Sequence, residues 1–297
     1  MQNTNMFKNY LLLLLIALIW GSQFALANIA LKSITPTNIA IGRAVIGFLT
    51  LTICLRFIPR QVQTSTIPKQ STPWLLFLMI ALFESVIPLF LIAWGLDHVD
   101  SGIGAILMGT VPIFTMLIAT LATKQDKLRW QLVASILLGF GGVIILSLPS
   151  IHGASSSILG ELAILIGAGS FAISLVLLKS LPPMSPIKQM RDILGLAAIP
   201  LIIAGVFINN WSMPSLEGIV ALLLLGSFCT GIVYLMFMIL IRNTTPTFAS
   251  LTNYLIPLIG VVIGCIFLNE SFHFSEFIAL IMILGALGVN QLKSRKD

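Results

Sequence analysis

Glu84 stands alone in the apolar run from Trp74 to Leu96, with no other ionisable side chain among those residues. A carboxylate in such surroundings costs ~3 kcal/mol to place in hydrocarbon, and it earns its position by holding a cation or by taking up and releasing a proton. The other polar groups sunk in apolar runs are few: Gln23 near Trp20, Asn253 beside Tyr254, Tyr234, and the hydroxyls of Ser85, Thr110, Ser170 and Thr230. Amides and phenols there bond to a neighbouring helix or to a ligand. Serines and threonines bond back to their own helix, the reading we take for these four. Trp20, Gln23, Glu84, Tyr234, Asn253 and Tyr254 are therefore the candidates to line a substrate cavity, with Glu84 the candidate for proton coupling. The competing reading of Glu84 is a structural acid, protonated and bonded to a helix carbonyl or paired with Arg43. Arg43 lies near the start of its own run, which argues against that pair.

Other chemistries find no residues to carry them. The three histidines, His98, His152 and His273, fall in polar connections and read as solvated. Cys54, Cys229 and Cys265 lie in apolar runs at no metal or disulfide spacing. The glycines of GFGG (139–142) sit inside an apolar run, where small residues let helices approach, and they form no phosphate-cradling loop. Hydrolytic catalysis, a cofactor and ATP-driven work by this chain alone are not expected. Pro112 and Pro257 each remove one backbone hydrogen bond and free a carbonyl a turn back, near Met108 and Asn253. They are candidate hinges; the alternative is a pair of static kinks.

These residues must be positioned by elements that composition identifies. The chain is 58% hydrophobic and 9% charged, with a mean hydropathy of +1.06. Its charges gather in short gaps between runs of about twenty apolar residues, the length that crosses a hydrocarbon core. The runs are continuous, without alternating polar positions, so they read as helices and not as barrel strands. Ten spans result: about Tyr10–Leu31, Asn38–Phe57, Trp74–Leu96, Ser101–Ala122, Leu128–Leu148, Gly160–Leu178, Ile187–Phe207, Glu217–Ile241, Thr247–Phe267 and Phe274–Leu292. With the N-terminus inside, 14 of the 16 basic residues fall in cytoplasmic segments, which places both termini in the cytoplasm. The net charge of +6 is then a topology signal and needs no nucleic-acid partner.

The chain also repeats itself. IWGSQFALANIALKSITP (19–36) returns 147 positions later as IGAGSFAISLVLLKSLPP (166–183), with seven identities in eighteen columns. Arg43 and Gly47 fall on Arg191 and Gly195, Pro112 on Pro257, and Gly139 and Gly142 on Gly285 and Gly288. Residues 1–150 and 151–297 are two copies of five helices each. Because five is odd, the second copy enters the membrane upside down, the architecture of secondary transporters with a site between the copies. The cavity is expected between helices 1, 3 and 4 and their mates 6, 8 and 9. Helices 5 and 10 read as scaffold or as the surface of a homodimer.

Ten spans with this repeat resemble the EamA family of the drug/metabolite transporter superfamily. The resemblance rests on Trp20-Gly21, Arg43, Pro112, Pro257, Leu268-Asn269-Glu270 and the two glycine pairs, and covers about residues 10 to 292. Thr123-Lys124-Gln125-Asp126 departs from the family's Gly-Glu pair at an exposed loop. The resemblance implies two EamA-like repeats and a secondary transporter of the cytoplasmic (inner) membrane. Such transporters are most often exporters of amino acids or related metabolites; coupling to protons is the expectation that Glu84 adds. An importer of the same fold, or a non-transporting receptor or accessory subunit, are the alternatives.

Overall fold

A computed structural model describes residues 2–57, 73–123, 130–152, 155–178, 180–181, 185–208, 213–244 and 252–291. Among them the chain is all helical, with no strand. The helices are α1 (Gln2–Leu31), α2 (Pro36–Phe57), α3 (Trp74–Leu96), α4 in two segments (Ser101–Met108 and Val111–Thr123), α5 (Trp130–His152), α6 (Ser155–Leu178), α7 (Pro186–Ile208), α8 (216–243), α9 (Thr252–Phe267) and α10 (Phe274–Gln291). Seven of them, α1–α4 and α6–α8, are long and apolar enough to cross a membrane; shorter apolar stretches lie in α5, α9 and α10. The expected start of the ninth span at Thr247, and that of the fifth at Leu128, fall outside the described residues. So do Arg60, Lys69, Lys124, Lys127, Arg129, Lys179, Lys293, Arg295 and Lys296, which carry most of the charge asymmetry.

Local chemistry sets the helix ends. Ser215 caps α8, its hydroxyl accepting from the Gly218 N–H at 3.1 Å. Asn269 adopts a left-handed φ of 55° just past α9, a conformation asparagine tolerates. That turn brings the Glu270 carboxylate under the first turn of α4, where it accepts the N–H groups of Ser101 (2.8 Å) and Gly102 (3.0 Å). Close by, burial and the neighbouring Glu270 raise the Asp100 carboxyl above its ordinary range.

The packing partners come in related sets. α1 lies on α9 and α8, while α6 lies on α4 and α3; α2 crosses α7, and α5 lies along α10. At the α3–α6 crossing a methyl group added to Gly95 would come within 2.6 Å of the Gly160 carbonyl, so the backbones touch there. The two glycine pairs differ in what they face. A methyl group at Gly142 would meet the Ala279 carbonyl of α10 at 3.1 Å, whereas Gly285 and Gly288 have open space before them. Helices α5 and α10 bind chiefly each other, with the Ser135 hydroxyl donating to the Ala286 carbonyl at 2.7 Å.

Three irregularities interrupt the helices, and the two π turns among them were not expected. α3 widens into a π turn at Leu82–Val86 and α8 into another at Ser227–Ile232. α4 breaks at Gly109 and Thr110. The break precedes Pro112, whose ring removes the hydrogen bond that would bridge it. Pro257 sits within α9 without a break. A methyl group at Gly109 would come within 3.0 Å of the Pro257 ring, so the two proline regions abut.

The largest buried cluster gathers at the end of the bundle where α1 passes into α2. Phe24, Ile34, Leu96, Ile106, Ile164, Leu225 and Val261 seal that end.

Candidate functional site

Glu84 is the eleventh residue of the 23 in α3, inside its π turn and 3% exposed. A π turn adds a residue to the helical circuit and turns side chains away from their regular azimuth. Here it leaves the Phe83 carbonyl for the Ser170 hydroxyl of α6, at 2.9 Å. The two carboxylate oxygens of Glu84 accept from separate hydroxyls: Ser174 of α6 donates to Oε2, and Tyr234 of α8 donates to Oε1 at 2.9 Å. The acid is therefore bonded neither to a helix carbonyl nor to Arg43. Ser170 also departs from expectation, since it bonds across to another helix while Thr110 and Thr230 bond within their own.

The second π turn is built around Arg43. Arg43 is 8% exposed, and its guanidinium donates through Nε to the Thr230 hydroxyl (3.2 Å) and through Nη2 to Gln23 Oε1 (2.9 Å). Thr230 in turn donates to the Leu225 carbonyl at 2.9 Å, and Cys229 contacts the Ile19 carbonyl at 3.3 Å. Trp20 packs edge-on to Tyr234, with centroids 5.9 Å apart, and against Phe237 at 5.1 Å. Thr230 and Tyr234 are one turn apart on α8, so the residue that anchors Arg43 and the residue that anchors Glu84 sit side by side. The two charges do not meet: Arg191–Asp192 is the ion pair found among the described residues.

Both groups face one cavity of about 590 Å³, within the size range of small-molecule sites. Trp20, Gln23, Glu84, Tyr234, Asn253 and Tyr254 all line it, as does Pro112; Pro257 does not. Helices α2 and α7 contribute as well, through Arg43 and Leu51 and through Ile187, Met190 and Leu194, and α10 through Leu287, so the wall is wider than the six expected helices. From the centre the cavity runs past Thr115, Met116, Leu178 and Gln189, away from the sealed end. Most of the wall is apolar, with a carboxylate and a guanidinium the charged groups in it. His98 is not simply solvated: its Nδ1 lies 2.8 Å from the Trp94 carbonyl and its ring 4.3 Å from the indole. The side chain of His152 lies outside the described residues.

Sequence reading passed over Arg43 and Ser174 as site residues. Arg43 carried a signal, being a cation within its apolar run, whereas Arg56 stands at that run's end. Ser174 follows Ser170 by four residues and shares its helix face.

An all-helical bundle with a polar-centred cavity sealed at one end defines a multi-pass membrane protein built to admit a small solute. The chain belongs to the EamA-like transporter family, whose sequence profile matches it twice, over residues 7–148 and 158–290. It is 29% identical over 284 residues to the uncharacterized inner membrane transporter YedA of Escherichia coli K12, covering 91% of this chain and 86% of that one. It is 25% identical over 294 residues to the uncharacterized transporter YvbV of Bacillus subtilis 168, covering 97% and 93%. A protein crystal structure superposes with a TM-score of 0.65 at 18% identity, covering 98% of this chain and 99% of that one; this likeness concerns the fold alone. The family and these names point to a membrane transporter and away from an enzyme.

Proposed function

We propose that this protein is a secondary transporter of the inner membrane, with ten spans in two inverted five-helix repeats and both termini in the cytoplasm. It exports an amino acid or a related amine by alternating access. The observation that carries this reading is the anchoring of Arg43 and Glu84 to neighbouring turns of α8, through Thr230 and Tyr234, around one cavity, each held by uncharged partners. Such a pair suits a zwitterion, with carboxylate toward Arg43 and ammonium toward Glu84, and with Trp20 and Tyr234 against its apolar part. A proton on Glu84 would exchange with that ammonium, so one acid serves binding and coupling. In the proposed orientation the cavity runs toward the cytoplasm, the side from which an exporter loads. Thermal stabilisation of the purified protein tests the ligand class. L-amino acids and primary amines are expected to raise Tm and nucleosides are not; the reverse pattern would exclude the zwitterion site.

The orientation has its own test. Single cysteines at Asn269 and at Gln125, in a cysteine-free background, should differ: an impermeant thiol reagent applied to intact cells labels the first and spares the second. Labelling at Gln125 would overturn both the topology and the inversion. For the hinges, Pro112→Ala is expected to restore a continuous α4 and slow turnover about tenfold or more while leaving ligand affinity unchanged, as gating steps often limit kcat. Pro257→Ala is expected to act in the same direction and more weakly, since α9 carries no break. Full-rate transport by the double variant would reduce both prolines to inherited kinks. A homodimer through the open glycine face of α10 is a further part of this reading, and crosslinking a cysteine at Gly285 between two copies tests it.

A further inference from the structure

We propose that Arg191 is the alternating counterpart of Arg43: in the opposite-facing state it leaves Asp192 and reaches Ser85 and Ser170, beside Glu84. This rests on the alternating-access reading above and names the residues that change places.

The register of the repeat carries the argument. The π turn at Leu82–Val86 and the π turn at Ser227–Ile232 occupy equivalent positions 145 residues apart, although neither was visible in the apolar pattern. Arg43 binds Thr230 in the second π turn and Gln23 on α1. The repeat equivalents of these three residues are Arg191, Ser85 and Ser170. Both acceptor positions keep a side-chain oxygen, and the donor position keeps its guanidinium. Yet the second set is taken apart here. Arg191 is partly exposed and bound to Asp192, at 2.5 Å through Nη2 and 2.8 Å through Nε. Ser85 lines the cavity, and Ser170 is given to the Phe83 carbonyl. The equivalent of Asp192 in the first copy is Ala44, so Arg43 has no such neighbour to draw it off.

The cavity has the matching asymmetry. It is sealed at the end where Arg43 is engaged and runs out past Ile187, Gln189 and Met190, at the end where Arg191 stays outside the lining. Helix α7 already packs on α3 through Ile187, Met190 and Ile193 against Phe77 and Ile80. Exchanging the two packings shifts α7 along α3 and brings Arg191 to Ser85, one residue from Glu84. A guanidinium there competes with any cation held by the carboxylate. Asp192 thus acts as the resting berth of Arg191 while the cavity faces one way, and Glu84 loses its cation as the cavity turns to the other. Arg191 is in this sense a positioning residue that works through Glu84.

The test uses the purified full chain in lipid nanodiscs, needs no identified ligand, and reads hydrogen–deuterium exchange of the sealing segment Ser101–Met108. Asp192→Asn frees Arg191 and is expected to raise exchange in that segment several-fold. Adding Arg191→Gln is expected to return it to the wild-type rate. In a cysteine-free background, a bifunctional thiol reagent with the reach of an arginine side chain should join Arg191→Cys to Ser85→Cys, and the joined protein should exchange rapidly at Ser101–Met108. The Arg43→Cys/Thr230→Cys pair, joined in the same way, should keep that segment protected. Unchanged exchange in Asp192→Asn overturns the proposal, as does an Arg191–Ser85 crosslink with the segment still protected. If these shifts occur but the reconstituted protein moves no amino acid, the exchange of arginines stands and the transporter reading fails. If flux is present without the shifts, the arginine exchange alone fails.

Discussion

Replacing Glu84 by glutamine is expected to abolish both gradient-driven flux and exchange of labelled substrate, while the protein still folds and inserts. The glutamine keeps the shape of the side chain but loses the charge. Its carbonyl can accept from Tyr234 or from Ser174, not from both, because the amide end donates. The lost interaction with a substrate ammonium is a charge-assisted hydrogen bond of about 1.5–3 kcal/mol. At 1.4 kcal/mol per decade that is roughly a 10- to 150-fold loss of affinity. Helix contacts of this kind contribute less to the fold, about 0.6 kcal/mol each on average, so expression should survive. Equilibrium exchange across proteoliposomes separates the possibilities. If Glu84→Gln retained exchange and lost only gradient-driven flux, the acid would carry protons without touching substrate. Normal flux with the normal pH profile would leave Glu84 a structural acid held by Ser174 and Tyr234.

The second large effect is expected at Arg43, and it should depend on the substrate. Arg43→Gln removes the donor to Thr230 and Gln23 and the cation for a substrate carboxylate. For an α-amino acid KM should rise about 10- to 150-fold, the same charge-assisted range. For the matching amine, which lacks the carboxylate, KM should hardly change. Arg43→Lys should fall between, since a single ammonium cannot reproduce the planar fork that spans Thr230 and Gln23. Paired measurements with one amino acid and its decarboxylated amine decide the matter. Equal losses on the two substrates would make Arg43 a strut between α1, α2 and α8 and nothing more.

Much of the molecule is legible in its amino-acid sequence. A lone carboxylate in 23 apolar residues declares itself, because the cost of burying it leaves few reasons for its being there. The repeat is equally plain, since identities at a fixed offset survive in order. What stays hidden depends on helix rotation. Ser170 and Ser174 meet α3 only because α6 turns that face toward it, and a single hydroxyl in an apolar run gives no sign of its azimuth. The π turns are hidden for a related reason: they alter the backbone bonding pattern without altering composition. The break in α4 at Gly109 and Thr110 can be read from the proline that follows, but the same proline in α9 leaves the helix whole. The glycine pairs show the limit of symmetry as a guide. Gly142 is packed against α10 and Gly288 faces open space, because α5 and α10 meet each other through different faces.

The central claim is that this chain moves an amino acid through the cavity between its two copies by using the charge on Glu84. Purified protein in sealed liposomes, given a pH gradient and a mixture of radiolabelled L-amino acids, tests it most directly. The account predicts accumulation that collapses when a protonophore is added and that is absent from liposomes carrying Glu84→Gln. Radioactivity no greater than in protein-free liposomes, or undiminished accumulation by Glu84→Gln, would contradict it.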